Sequence, residues 1–261
     1  MQIHTSNRLT HFFQLDRTGP AVQKDPKSDP RLDMTASDIS NPQVDPAFPE
    51  ALLNGYAGFR SGTLAESSDR YAELAENGQK PETMVISCCD SRAAPETIFG
   101  AGPGELFVVR NVANVVAPYT AQANTGGTSA AIEFAVEGLG VKNILVMGHA
   151  RCGGISAFRQ QLIGEPGAAL SEDNFIGSWI SLLKPVGQRI QRETGESAED
   201  LQRKLEMESV KQSVEHLKNF PFIATLLERG QIALHGAWFD IANGELWTLN
   251  PETDEFEQPV G

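Results

Sequence analysis

Strand-like runs that alternate with helical periodicity predict an α/β domain with a mainly parallel central β-sheet flanked by helices. Three observations carry that reading. Met84–Ser87 and Asn143–Met147 are short, continuously apolar runs, as strands buried on both faces should be. Stretches of helical spacing separate successive runs. Only one hairpin signal, Asn243-Gly244, lies between two strand-like segments.

Residues 1–48 carry Pro20, Pro26, Pro30, Pro42 and Pro46 among many polar residues. Such a segment holds too little apolar surface to offset its ordering entropy, so a disordered or draped tail is expected there. Residues 49–261 are expected to form a single α/β domain. From Glu50 to Asn77, Leu52, Leu53, Tyr56, Phe59, Leu64, Tyr71 and Leu74 recur at helical spacing. Gly62 separates two helices and Asn77-Gly78 stops the second. Met84–Ser87 and Glu105–Val109 are strands, joined through Gly100–Gly104. The glycine spacing there fits no phosphate-binding fingerprint, so a plain turn is expected. A helix opens at Thr125–Thr128 and runs to Leu139 with Ile132, Val136 and Leu139 on one face; Gly140 ends it. After the strand Asn143–Met147, Gly153-Gly154 lead into another helix, and 161–173 reads as a loop. Helices are expected at 175–192, 198–217 and 222–229, then strands at Ile232–Phe239 and Leu246–Leu249.

At 261 residues the chain can bury one substantial core. Its formal net charge of −13 argues against nucleic acid or an anionic membrane as the main partner. No apolar run approaches the roughly 20 residues needed to span a bilayer. Three cysteines, two of them adjacent, are no disulfide framework and fit a reducing compartment. The first residues lack the apolar core of a signal peptide and the Arg-rich character of a transit peptide, so a cytoplasmic location is expected.

The chemistry concentrates in two loops. Cys88, Asp90 and Arg92 follow one strand; His149 and Cys152 follow another. In a parallel sheet ligands gather beyond the carboxyl ends of the strands, so both stretches should offer their side chains at one edge. Two thiolates and one imidazole suit zinc with its fourth position open, the catalytic pattern. If the backbone stays extended through Cys88, Asp90 and Arg92, their side chains share one face and Cys89 and Ser91 point away. Cys88, not Cys89, is then the ligand. Zinc drives thiol deprotonation and makes its bound water a source of hydroxide. Asp90 would accept a hydrogen bond from that hydroxide, and Arg92 would hold Asp90 ionised. A redox dithiol site fails because no Cys-x-x-Cys occurs, and a Cys–His hydrolase leaves Cys152 and the Asp90–Arg92 pair without work. A purely structural zinc would want a fourth Cys or His, and none is local in sequence. His4 and His11 fall in the tail, and His216 and His235 read as structural or solvated.

Three segments in order, Cys88–Arg92, Pro103–Asn114 and Gly148–Gly154, resemble the signature segments of the β-class carbonic anhydrases. The likeness runs from about Leu52 to Leu249. It implies a β-carbonic anhydrase-like fold with an extended N-terminal helical arm at 50–77. It also implies one zinc per chain on Cys88, His149 and Cys152, and reversible hydration of carbon dioxide to bicarbonate and a proton by zinc-bound hydroxide. Gln79, eleven residues before Asp90, and Val85 in place of a tryptophan imply the plant-like subgroup. In that subgroup Gln79 would bind substrate, and Phe107 and Val112 would line an apolar pocket. Phe134 stands where a tyrosine is usual, so one polar pocket contact is missing. A pocket shared with a neighbouring subunit implies a homo-oligomer, at least a dimer. Two rivals stay open: hydrolysis of a sulfur analogue of carbon dioxide on the same site, and a non-enzymatic zinc- or anion-binding module.

Overall fold

The computed structural model describes residues 47–120, 126–164, 174–190 and 197–259. The tail expected over 1–48 lies almost entirely outside the described residues. The chain divides into two compact units, 1–59 and 60–261. Of the first, the described part is a short entry and most of helix α1 (Glu50–Ser61), started by the Pro49 carbonyl accepting from Leu52 and Leu53 N–H.

The second unit runs α2 (Thr63–Glu66), α3 (Ser68–Asn77), β1 (Thr83–Cys88), α4 (Pro95–Ile98), β2 (Leu106–Asn111), α5 (Gly127–Glu133), β3 (Asn143–His149) and α6 (Gly153–Leu162). It continues with α7 (Phe175–Ile180), α8 (Lys184–Arg189), α9 (Ala198–Lys218), α10 (Pro221–Glu228), β4 (Ala233–Asp240), β5 (Glu245–Leu249) and β6 (Phe256–Glu257). The six strands lie in the order β2-β1-β3-β4-β5-β6. β1 to β4 are mutually parallel, while β5 and β6 are added antiparallel at one edge through the hairpin at Asn243-Gly244. The mainly parallel α/β architecture is therefore present.

Several boundaries differ from expectation for local reasons. The second helix expected before Asn77 breaks again at Ser67, giving α2 and α3; Gly78, at φ 74°, closes α3 with its N–H on the Leu74 carbonyl. The helix expected to run to Leu139 stays α-helical through Glu133, then widens into a π-turn over Phe134–Leu139. Residues 161 and 162 close α6 rather than opening a loop, and 165–173 lie outside the described residues. The helix expected over 175–192 is split: a 3-10 turn at Ser181–Leu183 separates α7 from α8, whose first turn holds Pro185. β6, two residues long, is too short to leave a periodic signal.

One sheet face buries Met84, Ile86, Ile144 and Val146 against Val210, Val214 and Leu217 of α9. Beyond the carboxyl end of β1, Cys88 and Cys152 sit in a second cluster with Ile155, Phe158, Leu183 and Leu205. The opposite sheet face carries a smaller cluster around Val85, Met147 and Ala237. Among the described residues, no helix is long and apolar enough to cross a membrane.

Candidate metal centre

β1 and β3 are neighbours in register, Ser87 opposite Met147, so Cys88 and His149 emerge side by side at the carboxyl edge. Cys152 follows three residues later, at the residue capping α6. All three are buried, and their ligand atoms lie within 4.8 Å of one another. The two sulfurs are 3.9 Å apart. That is far beyond a disulfide bond, and it matches the roughly 3.8 Å between two sulfurs that each sit ~2.3 Å from a tetrahedral zinc. His149 Nδ1 lies 2.9 Å from the Ala150 carbonyl, which requires the proton on Nδ1 and leaves the lone pair on Nε2. Nε2 is buried without a hydrogen-bond partner. A buried imidazole nitrogen without a hydrogen-bond partner, within 4.8 Å of two sulfurs, is what a metal ion would satisfy, so these residues fit zinc.

The contact between the two sulfurs lowers the pKa of the Cys88 thiol, while the same contact and then burial push that of Cys152 up. A divalent cation would take both sulfurs as thiolates, releasing their protons. Cys89, next in sequence, is exposed. The three-donor group contains Cys88 and not Cys89.

Asp90 and Arg92 pair, but not by the extended geometry expected. β1 ends at Cys88, and Ser91–Ala93 form a 3-10 turn capped by the Asp90 side chain, which accepts from Arg92 N–H at 3.0 Å. The turn brings the guanidinium back over the carboxylate: Arg92 Nε donates to Oδ1 at 2.9 Å and Nη2 to Oδ2 at 2.6 Å. This bidentate pair holds the Asp90 carboxyl well below its usual range. Asp90 Oδ2 stands 3.9 Å from His149 Nε2, at the mouth of the cluster.

Sequence reasoning missed the groups that hold these loops. Arg110, near the end of β2, donates from Nε to the Cys88 carbonyl at 2.8 Å and from Nη2 to the Asp90 carbonyl at 2.5 Å. It lies inside the segment Pro103–Asn114, yet nothing local says which carbonyls it meets. Asn111 ties its amide to both backbone groups of Val115, at 2.9 and 3.0 Å, which braces the 112–114 turn between them. Ala113 and Asn114 in that turn adopt left-handed φ of 65° and 48°. Trp179 donates to the Val112 carbonyl at 2.8 Å, tying the turn to α7. A Cβ on Gly154 would meet Val112 Cγ1 at 2.8 Å, so the glycine lets the turn press against α6. On α9, Glu206 and Gln202 reach Cys152. The only local sign of Glu206 is an acid placed among the apolar positions Leu205 and Val210 of the buried face.

The four expected pocket residues separate into two groups. Val112 lies one residue past β2, beside the cluster. Phe107 pairs with Met84 near the start of β1, roughly 13 Å back along the strand from Asn111. Its ring is 5.8 Å from that of Phe134, which is 55% exposed. Gln79 is exposed just before β1, at the amino end of the sheet. Within one chain, Gln79, Phe107 and Phe134 therefore do not join Val112 at the metal cluster. His216 Nδ1 lies 2.6 Å from the Val116 carbonyl and His235 Nε2 3.0 Å from Asn143 Oδ1, and neither belongs to the three-donor group.

Two soft sulfurs and one imidazole, with an ionised carboxylate beside them at the carboxyl edge of a parallel sheet, are a donor set that could hold a catalytic metal ion such as zinc. A family model described as carbonic anhydrase matches residues 83–246. Over 209 residues the chain is 34% identical to beta carbonic anhydrase 3 of Arabidopsis thaliana, covering 78% of each. The β-carbonic anhydrase CcaA superposes with a TM-score of 0.73 at 28% identity, over 81% of this chain and 92% of that one. One of two tetrameric β-carbonic anhydrases from Sordaria macrospora gives 0.60 at 30% identity, over 77% and 94%. The chain belongs to the β-class carbonic anhydrase family.

Proposed function

We propose that this chain catalyses the reversible hydration of carbon dioxide to bicarbonate and a proton, with one zinc held by Cys88 Sγ, His149 Nε2 and Cys152 Sγ. The single observation that carries the reading is the buried three-donor cluster standing 3.9 Å from a carboxylate already locked by an arginine. Zinc on this donor set supplies a Lewis acid that makes hydroxide available at moderate pH.

The chain's own groups do the rest. Arg92 keeps Asp90 ionised and fixed, so Asp90 can only accept a hydrogen bond. Asp90 would accept a hydrogen bond from the attacking oxygen and so orient that oxygen's lone pair towards the carbon of the substrate. Val112 gives the linear, apolar substrate an apolar wall. Phe107, Phe134 and Gln79 are assigned to the same pocket, reached from a second copy of the chain. Their place at the far end of their own sheet, with an exposed aromatic among them, supports this sharing. A homodimer is then the smallest complete unit, and the tetramers of the Sordaria macrospora relatives fit a dimer of dimers. The likeness to a plant enzyme and Val85 support the plant-like subgroup. We assign the activity to residues 49–261, with 1–48 as a tail outside it. Two thiols that must stay reduced support a cytoplasmic location.

Stopped-flow hydration at mildly alkaline pH, on protein with zinc counted per chain, tests the proposal. Near one zinc with rapid, chelator-sensitive turnover is expected. Zinc without hydration would overturn it in favour of a sulfur analogue of carbon dioxide as substrate. A staple or anion-binding module has no use for the Asp90–Arg92 pair.

A further inference from the structure

Glu206 is a carboxylate placed where core packing would want an apolar side chain: it is 2% exposed, beside Leu205 and Val210, both fully buried. Among the described residues no Lys or Arg pairs with it. Three N–H donors surround it instead. Oε1 accepts from the Cys152 backbone at 3.0 Å and from Gln202 Nε2 at 2.7 Å, and Oε2 accepts from the Trp238 indole at 3.1 Å. Gln202 Nε2 also donates to the Cys152 carbonyl at 3.1 Å, and Arg159 Nε donates to Gln202 Oε1 at 3.2 Å.

Two side chains one helical turn apart on α9 thus take hold of both backbone polar groups of one residue, Cys152. That residue ends the turn after β3, whose Arg151 sits at φ 56°, a conformation that persists only when its surroundings impose it. A buried acid is costly, and a hydrophobic residue of similar volume would pack there at less cost. The cost makes sense if the carboxylate holds Cys152.

Resting on the zinc reading above, we infer that Glu206, with Gln202, is a positioning residue for the metal: it fixes the Cys152 backbone so that Sγ faces Cys88 and His149 before zinc arrives. The hold acts on the backbone of Cys152. It governs how long zinc stays. Glu206→Gln keeps the volume but turns one acceptor into a donor, which must then face the Cys152 N–H, the Gln202 amide or the indole.

The test measures zinc first in the wild-type protein, then its transfer to a chromophoric chelator in both forms, together with the sulfur-to-metal absorption of the cobalt-substituted proteins. Zinc release about 10- to 100-fold faster in Glu206→Gln, with a weakened sulfur-to-cobalt band, is expected. Val214→Ala, a core truncation two turns along α9, serves as the control: it lowers melting temperature but leaves release and absorption unchanged. Wild-type release and absorption in Glu206→Gln would overturn the inference. If Glu206→Gln does not fold, Gln202→Leu removes the grip on the Cys152 carbonyl and decides it the same way. Absence of zinc from the wild-type protein would overturn the zinc reading itself, and the inference with it.

Discussion

Gly148→Ala probes how α9 is seated against the strand that delivers His149. A Cβ at Gly148 would lie 2.7 Å from Val210 Cγ2 and 3.6 Å from the Glu206 carbonyl. Carbon atoms in contact prefer roughly 3.5–4.0 Å, so about 1 Å must be found. Val210 cannot supply it by rotating. Its χ1 is stiff, and a Cβ on Gly236, in the adjacent strand, would already meet its Cγ1 at 3.0 Å. The two valine methyls fill a notch made by glycines on β3 and β4, so the helix itself must lift. Overpacking of this kind costs about 1–3 kcal/mol. For a unit of this size, each kcal/mol lowers the melting temperature by roughly 2–4 °C, so a fall of about 2–12 °C is expected. The lifted helix also carries Gln202 and Glu206 away from Cys152, so zinc release should quicken. Thermal unfolding of metal-free and zinc-loaded protein measures both effects. Val210→Ala in the Gly148→Ala background should recover part of the loss, with a coupling of about 1 kcal/mol or more. A melting temperature within about 2 °C of wild type, or strictly additive single and double variants, would refute the reasoning.

Cys88→Ser should lose zinc and turnover, while Cys89→Ser, on an exposed side chain, keeps both; metal analysis of the two purified variants decides it, and zinc retained in the first contradicts the ligand set. Asp90→Asn should keep the metal and lose roughly 10²-fold or more in kcat, since the amide offers a donor where an acceptor is needed; full turnover would remove Asp90 from the mechanism. Desolvation of the partly exposed His235 ring lowers its pKa. The unfolded chain, with its histidine near 6.5, therefore takes up the proton first as pH falls. Stability should drop as pH passes below about 6.5 and level off below the folded value. Urea midpoints of wild type minus His235→Gln should show that decline between about pH 7.5 and 5.5, and a difference that grows on acidification would reverse the sign argued here.

What the sequence determined by itself was local. Continuous apolar runs marked β1 and β3, and the ligand types directly after them marked the centre, because strand, turn and ligand lie within a few residues. Its main failure was also instructive. Extension through Arg92 was a reasonable local expectation, yet the Asp90 carboxylate can cap a turn, and the 3-10 geometry won because it satisfies both the Arg92 N–H and its guanidinium. Only the tertiary structure decided what holds the centre. Arg110 meets Cys88 across 22 residues and Glu206 meets Cys152 across 54, and hydrophobic periodicity says nothing about partners at such separations. The pocket shows the same division: Phe107 and Val112 are five residues apart in sequence but stand at opposite ends of β2. A strand advances about 3.3 Å per residue, so neighbours in a motif need not be neighbours at a site.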